Sequence, residues 1–173
     1  FRIVTCRGLE MRQYAIRGKA MSGGYVSEVI AEALSMAESN ACMRRIVAAP
    51  TAGACGVLPA VLLPLCKYEE LNQRQILEAL YVASGIGAVI AYRACIAGAA
   101  GGCQAEIGTA SAMAAGALVA LRGGSGQQIC HAVAMALKNL RPGGGSGGGS
   151  LRQAQCRRCR QRRQCGGYGV GGH

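Results

Sequence analysis

Aromatic side chains are nearly missing from this chain: there is no Trp, a single Phe, and Phe, Trp and Tyr together make up 4% of it. Any core must therefore be filled by Ala, Val, Ile, Leu and Met, small side chains that let helices approach closely. Charge is scarce as well, 16% against 51% hydrophobic, over 173 residues, a length that suits one domain. Acids are the scarcer sign, 8 against 19 Lys and Arg, for a net charge of +11. That excess is uneven. Residues 1–140 hold 12 Lys and Arg against 8 Glu, a net of +4, whereas residues 141–173 hold 7 Arg and no acid. The basic character belongs mostly to the last segment, so an Arg-rich nucleic-acid arm rests on that segment alone and no nucleic-acid partner is expected for the domain.

No secretory leader is recognisable. Residues 1–20 carry Arg2, Arg7, Arg12, Arg17 and Lys19 with no apolar block. Ten cysteines suggest an oxidised scaffold, but such scaffolds are loop-rich and poor in core, whereas this chain has long apolar runs. The expectation is a cytoplasmic protein in which Cys42, Cys55, Cys66, Cys95 and Cys130 are reduced core residues. The longest charge-free run, residues 46–66, has the length of a bilayer span, roughly 20 residues. It also contains Pro50, Gly53, Gly56, Pro59 and Pro64, which argue against one continuous helix. Buried segments, and no membrane, are expected.

A period-2 strand pattern is also absent, which predicts an all-α fold, a bundle of apolar, small-residue-rich helices. Residues 25–40 read as an amphipathic helix with Val26, Val29, Ile30, Ala33 and Leu34 on one stripe and Glu28, Glu32 and Glu38 off it. Residues 53–66 read as a second helix, interrupted near Pro59 and Pro64. Asn72 with Gln75 has the form of a helix start. It opens residues 76–97, apolar nearly all round and so a central helix. Residues 104–121 and 128–140 follow. With 76–97, residues 104–121 should be the most buried. After Leu140 the composition changes abruptly: residues 141–150 look like a flexible linker, and 151–173 are Arg, Gln, Cys and Gly with too little apolar surface to fold alone. The division is residues 1–140, a domain, and 141–173, a disordered tail.

Two Gly- and Ala-rich segments each lead into an apolar run: Ala49-Pro50-Thr51-Ala52-Gly53 and Gly98-Ala99-Ala100-Gly101-Gly102-Cys103-Gln104-Ala105-Glu106. Glycines beside a cysteine let the backbone approach a bulky group, such as an iron–sulfur cluster, that a Cβ would block. Thr51 reads either as a plain N-cap or as part of a helix-start anion site suited to a substrate carboxylate. Glu106 reads either as a cap on free backbone N–H groups or as a site carboxylate. His131, on an apolar helix, reads first as an ordinary structural histidine. Cys156-Arg157-Arg158-Cys159 with Cys165 and His173 has a metal-ligand look, but a structural zinc site needs four well-placed ligands.

Residues 11–140 resemble the α chain, or catalytic domain, of the bacterial iron–sulfur L-serine dehydratases. The resemblance is carried by Ile16-Arg17-Gly18-Lys19-Ala20-Met21-Ser22-Gly23, by the two Gly/Ala segments, by Ala110-Ser111-Ala112-Met113 and by Ala134-Met135-Ala136-Leu137-Lys138-Asn139-Leu140. It implies β-elimination of L-serine to pyruvate and ammonia at a [4Fe-4S] cluster whose open iron acts as a Lewis acid. It implies Cys103 as one cluster ligand, and Pro50, Thr51, Ala52, Gly53, Gly101, Gly102, Gln104 and Glu106 as the substrate-binding lining. The catalytic base is not identified. A β chain or domain, or a homo-oligomer, is the implied partner. The alternative is a noncatalytic all-α fragment that packs against a partner chain.

In the family two further cluster cysteines lie downstream, in a segment of the type Cys-Asp-Pro-Val-Ala-Gly-Leu-Val-Glu-Val-Pro-Cys. It does not follow Leu140 here. Codons can be chosen for residues 141–152 that, with one base dropped, read Asp-Pro-Val-Ala-Gly-Leu-Val-Glu-Val-Pro-Cys-Val. Residues 141–173 are thus expected to be out-of-frame translation preceded by a small deletion, and the chain to be an impaired member of its family.

Overall fold

A computed structural model describes residues 6–139, apart from Lys19. The expected disorder of residues 141–173, and Cys156, Cys159, Cys165 and His173, lie outside the described residues. The chain forms α1 (Arg7–Ile16), α2 (Gly23–Ala41), a single 3-10 turn (Ala52–Ala54), α3 (Val57–Glu69), α4 (Gln73–Arg93), the short α5 (Gly98–Gly101), α6 (Cys103–Leu121) and α7 (Gly126–Asn139). There is no strand among the described residues, as the missing period-2 pattern implies.

Helix α6 is the hub, packing against α3, α4, α5, α7 and the 3-10 turn. It can do so because its side chains are small: Gly108, Thr109, Ala110, Ala112, Met113, Ala114, Gly116 and Ala117 are all buried. At Gly116 a Cβ would strike Ile86 of α4 and lie 3.3 Å from Val133 of α7, so glycine sets the closeness of both crossings. The hydroxyl of Thr109 is satisfied within the helix, donating to the Ala105 carbonyl at 2.7 Å. The core joins α3, α4 and α6 through Leu58, Leu62, Ala79, Ala83, Met113, Ala114 and Ala117. Pro64 lies inside α3 and is fully buried. The expected helix over 53–66 is instead split into the 3-10 turn and α3.

Helix α4 starts as its sequence predicts. Asn72 Oδ1 accepts from the Gln75 N–H at 2.9 Å, and the Asn72 N–H donates to Gln75 Oε1 at 3.0 Å. It stops at Arg93 rather than 97, because Ala94 is extended (φ −141°, ψ 164°) and redirects the chain toward Gly98. Nor is it a central helix. It buries only Ala79, Ala83 and Gly87, while Tyr81 and Tyr92 are 77% and 88% exposed. The reason is topological: its packing is mainly on α6, so one face stays bare. Among the described helices α4 alone has the length and apolarity of a bilayer span, with a mean hydropathy of 1.4.

Helix α2 also departs from expectation. Its buried positions are Ser27 and Ala31, whereas Val26 and Ile30 of the expected stripe are exposed. The shift follows from charge. Glu28 and Glu32 are drawn between α1 and α3, where Arg12 donates to them at 3.3 and 2.5 Å and Lys67 at 3.1 and 3.4 Å. Hydrogen bonding to Glu28 outweighs partial desolvation, and with the charges of Glu28 and Glu32 it holds the Lys67 ammonium above its ordinary 10.5. Of the five cysteines expected in the core, Cys55 is buried and Cys66 and Cys95 are partly so, but Cys42 and Cys130 are exposed. Cys42 follows the end of α2, and Cys130 lies on α7, which packs on α6 and buries no residue completely. All seven described cysteines are free thiols.

Candidate active site

The two Gly/Ala segments, far apart in sequence, meet at one carboxylate. Glu106 sits in the first turn of α6, half-buried. Thr51, extended just before the 3-10 turn (φ −132°, ψ 166°), donates its hydroxyl to Glu106 Oε1. A Cβ on Gly53 would lie 2.7 Å from Glu106 Oε2, and one on Gly98 would overlap the same oxygen. The carboxylate is therefore cradled by backbone from both segments, and glycine is required on both sides for that approach. The Ala52 carbonyl is held by Asn40 Nδ2 at 3.1 Å, which ties the turn to the end of α2. The Ala49–Pro50 peptide is cis.

These contacts correct the capping alternative at both residues. Thr51 caps nothing: no side-chain cap bond is made at the 3-10 turn. Its one hydroxyl proton goes to Glu106. Glu106 does not cap α6 either, whose N-cap is Gly102 with no side-chain bond. Its negative charge in the first turn still complements the helix dipole.

Gly102 turns the chain from α5 into α6 at φ 81°, ψ 164°, a conformation open essentially to glycine alone. The bend leaves Gly102, Cys103 and Gln104 exposed at the start of α6, beside the exposed Ala52 and Gly53 of the turn. Cys103 and Glu106 are three apart on one helix, so thiol and carboxylate share a flank. Gly101 is pressed against the next turn, where a Cβ would come within 2.8 Å of the Ala105 Cβ. Pro50 is half-buried at the edge of the site. Among the described residues Glu106 has no Lys, Arg or His within ion-pair distance. His131 is exposed on α7, at the level of Gly116 and about 15 Å along α6 from Glu106, so it is not brought to this site.

Sequence reasoning missed two participants. Gly98 belongs to the second Gly/Ala segment, but only the fold shows it backing Glu106. Asn40 carries no signal beyond being a polar residue at a helix end. Beneath the turn, a cavity of about 400 Å³ is lined by Ala33, Asn40, Gly53, Cys55, Gly56 and Ile107. Its lining is small and apolar apart from Asn40 and the Cys55 thiol, so it offers space rather than acid–base chemistry.

An iron–sulfur cluster needs several thiolates. Cys103 is exposed and available, but no three of His, Cys, Asp and Glu are grouped among the described residues. The described residues do not by themselves fit a [4Fe-4S] cluster.

The sequence pattern of the family described as serine dehydratase alpha chain matches residues 4–141. The chain is 40% identical over 132 residues to a probable L-serine dehydratase, alpha chain, of Bacillus subtilis, covering 76% of this chain and 44% of that protein. It is 44% identical over 128 residues to the L-serine dehydratase, alpha chain, of Peptoniphilus asaccharolyticus, covering 74% and 44%. It is 45% identical over 108 residues to the L-serine dehydratase TdcG of Escherichia coli, covering 62% and 24%. The chain thus spans less than half the length of these relatives. No solved structure matches it. On a family match over residues 4–141, the chain belongs to the serine dehydratase alpha chain family.

Proposed function

We propose that this chain carries the substrate-facing motif pair of an iron–sulfur L-serine dehydratase, which converts L-serine to pyruvate and ammonia by β-elimination. The observation that carries the reading is the junction at Glu106. Thr51, Gly53, Gly98 and Glu106 come from the two segments that mark the family resemblance, and the fold brings them into contact. Pro50, Ala52, Gly101, Gly102 and Gln104 border that junction. Fixed donors and acceptors among glycines suit a small, polar substrate held close to the backbone.

We assign to Cys103 the role of one thiolate of the family's [4Fe-4S] cluster. With only that ligand among residues 6–139, the chain as written is expected to be weak or inactive. The family match ends at residue 141, where the composition turns to Gly and Arg, and this supports reading residues 141–173 as out of frame. The relatives' designation as alpha chains supports a β chain or domain as the partner. We extend the same proposal to a cytoplasmic setting, on the ground that the long apolar runs do not suit an oxidised scaffold.

The test is anaerobic reconstitution with iron and sulfide, reading visible absorbance and pyruvate formation from L-serine. The chain as written should show little of either. A version with the missing segment and frame restored after Leu140 should show both, and Cys103→Ala should then abolish both. A full cluster with turnover in the unrestored chain would overturn the one-ligand argument. A restored chain that binds the cluster yet leaves L-serine untouched would overturn the substrate assignment.

A further inference from the structure

Away from the candidate site, a groove of about 290 Å³ between α1 and the end of α2 holds two thiols. Its lining includes Cys6, Arg12, Glu38, Ser39, Cys42 and Arg44. Gly8 bonds to Glu38, and Arg12 to Glu32 and Glu28, so the two helices run antiparallel and the start of α1 meets the end of α2. Glu38 joins these ends. Its side chain accepts from the Gly8 N–H at 3.1 Å, and its carbonyl accepts from the Cys42 N–H at 2.9 Å. Cys6 is the N-cap of α1 and Cys42 the C-cap of α2, and both are exposed, free thiols.

Two further features bear on what these thiols do. Helix α1 packs mainly on α2 and buries only Gly8, so little free energy opposes its local displacement. Arg44, just beyond α2, makes no ion pair among the described residues. Its charge draws a reagent that carries carboxylates toward the groove.

We propose that Cys6 and Cys42 are a modification site, a dithiol that a small acidic disulfide of the glutathione class oxidises to an internal disulfide. Cys42 gives its proton to water and attacks one sulfur of the reagent. The reagent's S–S bond breaks and one small thiolate leaves. Cys6, deprotonated in turn, attacks the Cys42 sulfur of the mixed disulfide, and the second small thiolate leaves. Two electrons pass from the protein to the reagent, which ends as two thiols after taking up two protons from water. A disulfide needs Cα atoms within about 7 Å, and α1 meets that need by shifting against its main neighbour. The shift makes the bond readily reduced, a sensor rather than a brace. Asn40, which holds the Ala52 carbonyl, lies two residues before Cys42, so the bond acts on the helix end that anchors the candidate site. The inference does not depend on the enzymatic reading.

In the test, the full chain is incubated anaerobically with oxidised glutathione. Remaining thiols are then alkylated, and tryptic peptides are mapped by mass spectrometry without reduction. The expected product is a peptide pair joining Cys6 to Cys42, lost again on treatment with reduced glutathione. Amide exchange in residues 7–16 should slow at least about threefold on oxidation. Cys6→Ser should leave helicity unchanged by circular dichroism and stop the sequence at a mixed disulfide on Cys42, seen as one added glutathione. Absence of the Cys6–Cys42 pair would overturn the proposal. So would either residue bonded instead to Cys103, to Cys130 or to a cysteine of residues 141–173. A pair that forms only in urea would overturn it as well, because the groove would then play no part.

Discussion

Helices α4 and α6 look alike in sequence, long, apolar and poor in charge, yet one is swallowed by the fold and the other lies on its surface. Eight residues of α6 are buried, and three of α4. The difference is not hydrophobicity but girth. Helix α6 is ringed by Ala and Gly, so other helices can approach it from several directions. Helix α4 turns the small residues Ala79, Ala83 and Gly87 toward α6 and sets the bulky Leu77, Tyr81 and Tyr92 outward. Apolarity predicts that a helix will be covered, while side-chain size predicts from how many sides.

That contrast can be broken by substitution. Met113→Ala, on the buried side of α6 (6% exposed), should lose about 2–4 kcal/mol of stability in urea unfolding, because it leaves a cavity where Met113 meets Gly87. Gly102→Ala should lose about 1–3 kcal/mol, since alanine strains at φ 81°, ψ 164°. A loss below a few tenths of a kcal/mol would mean that the α5–α6 bend is not fixed as described. Thr51→Val should lose about 1 kcal/mol by leaving Glu106 without its donor, with the amide resonances of 51–54 and 106 shifting most. The ion pairs across α2 predict a pH effect. Lys67 is raised above 10.5, so its stabilising contribution is complete below that value and is lost as pH climbs through the higher folded-state value. The melting temperature should fall over that alkaline window, and Lys67→Met should flatten the fall. Smallest of all, Leu77→Ala on the bare face of α4 should change the stability of the chain by less than about 0.5 kcal/mol. A loss as large as that of Met113→Ala would mean α4 is covered within its own chain.

The helices were legible because their signals are local. The Asn72–Gln75 box is written in four consecutive residues, and helix period and the absence of strand alternation fixed the class. What the sequence concealed depends on neighbours. Helical spacing in α2 points to a stripe through Val26 and Ile30, but Arg12 and Lys67, from other helices, pull Glu28 and Glu32 inward and rotate the burial toward Ser27 and Ala31. The end of α4 shifts to Arg93 because Ala94 is extended, which stops a run that would tolerate helix. At the site, the motif residues were identifiable by resemblance, but their partnership was not. Nothing in the sequence says that the hydroxyl of Thr51 is spent on Glu106, or that Gly98 makes room for that carboxylate.

The Thr51–Glu106 bond also constrains the order of assembly. Its partners are 55 positions apart, and closing a flexible loop of that length costs about 3–4 kcal/mol. A single hydrogen bond returns about 1 kcal/mol, so the contact cannot recruit its own halves. It must wait for α3, α4 and α6, which lie between and beneath those halves, to condense through Leu58, Leu62, Ala83 and Met113. The pairing is a consequence of folding rather than a nucleus for it, and two peptides carrying the separate segments would ignore each other in solution.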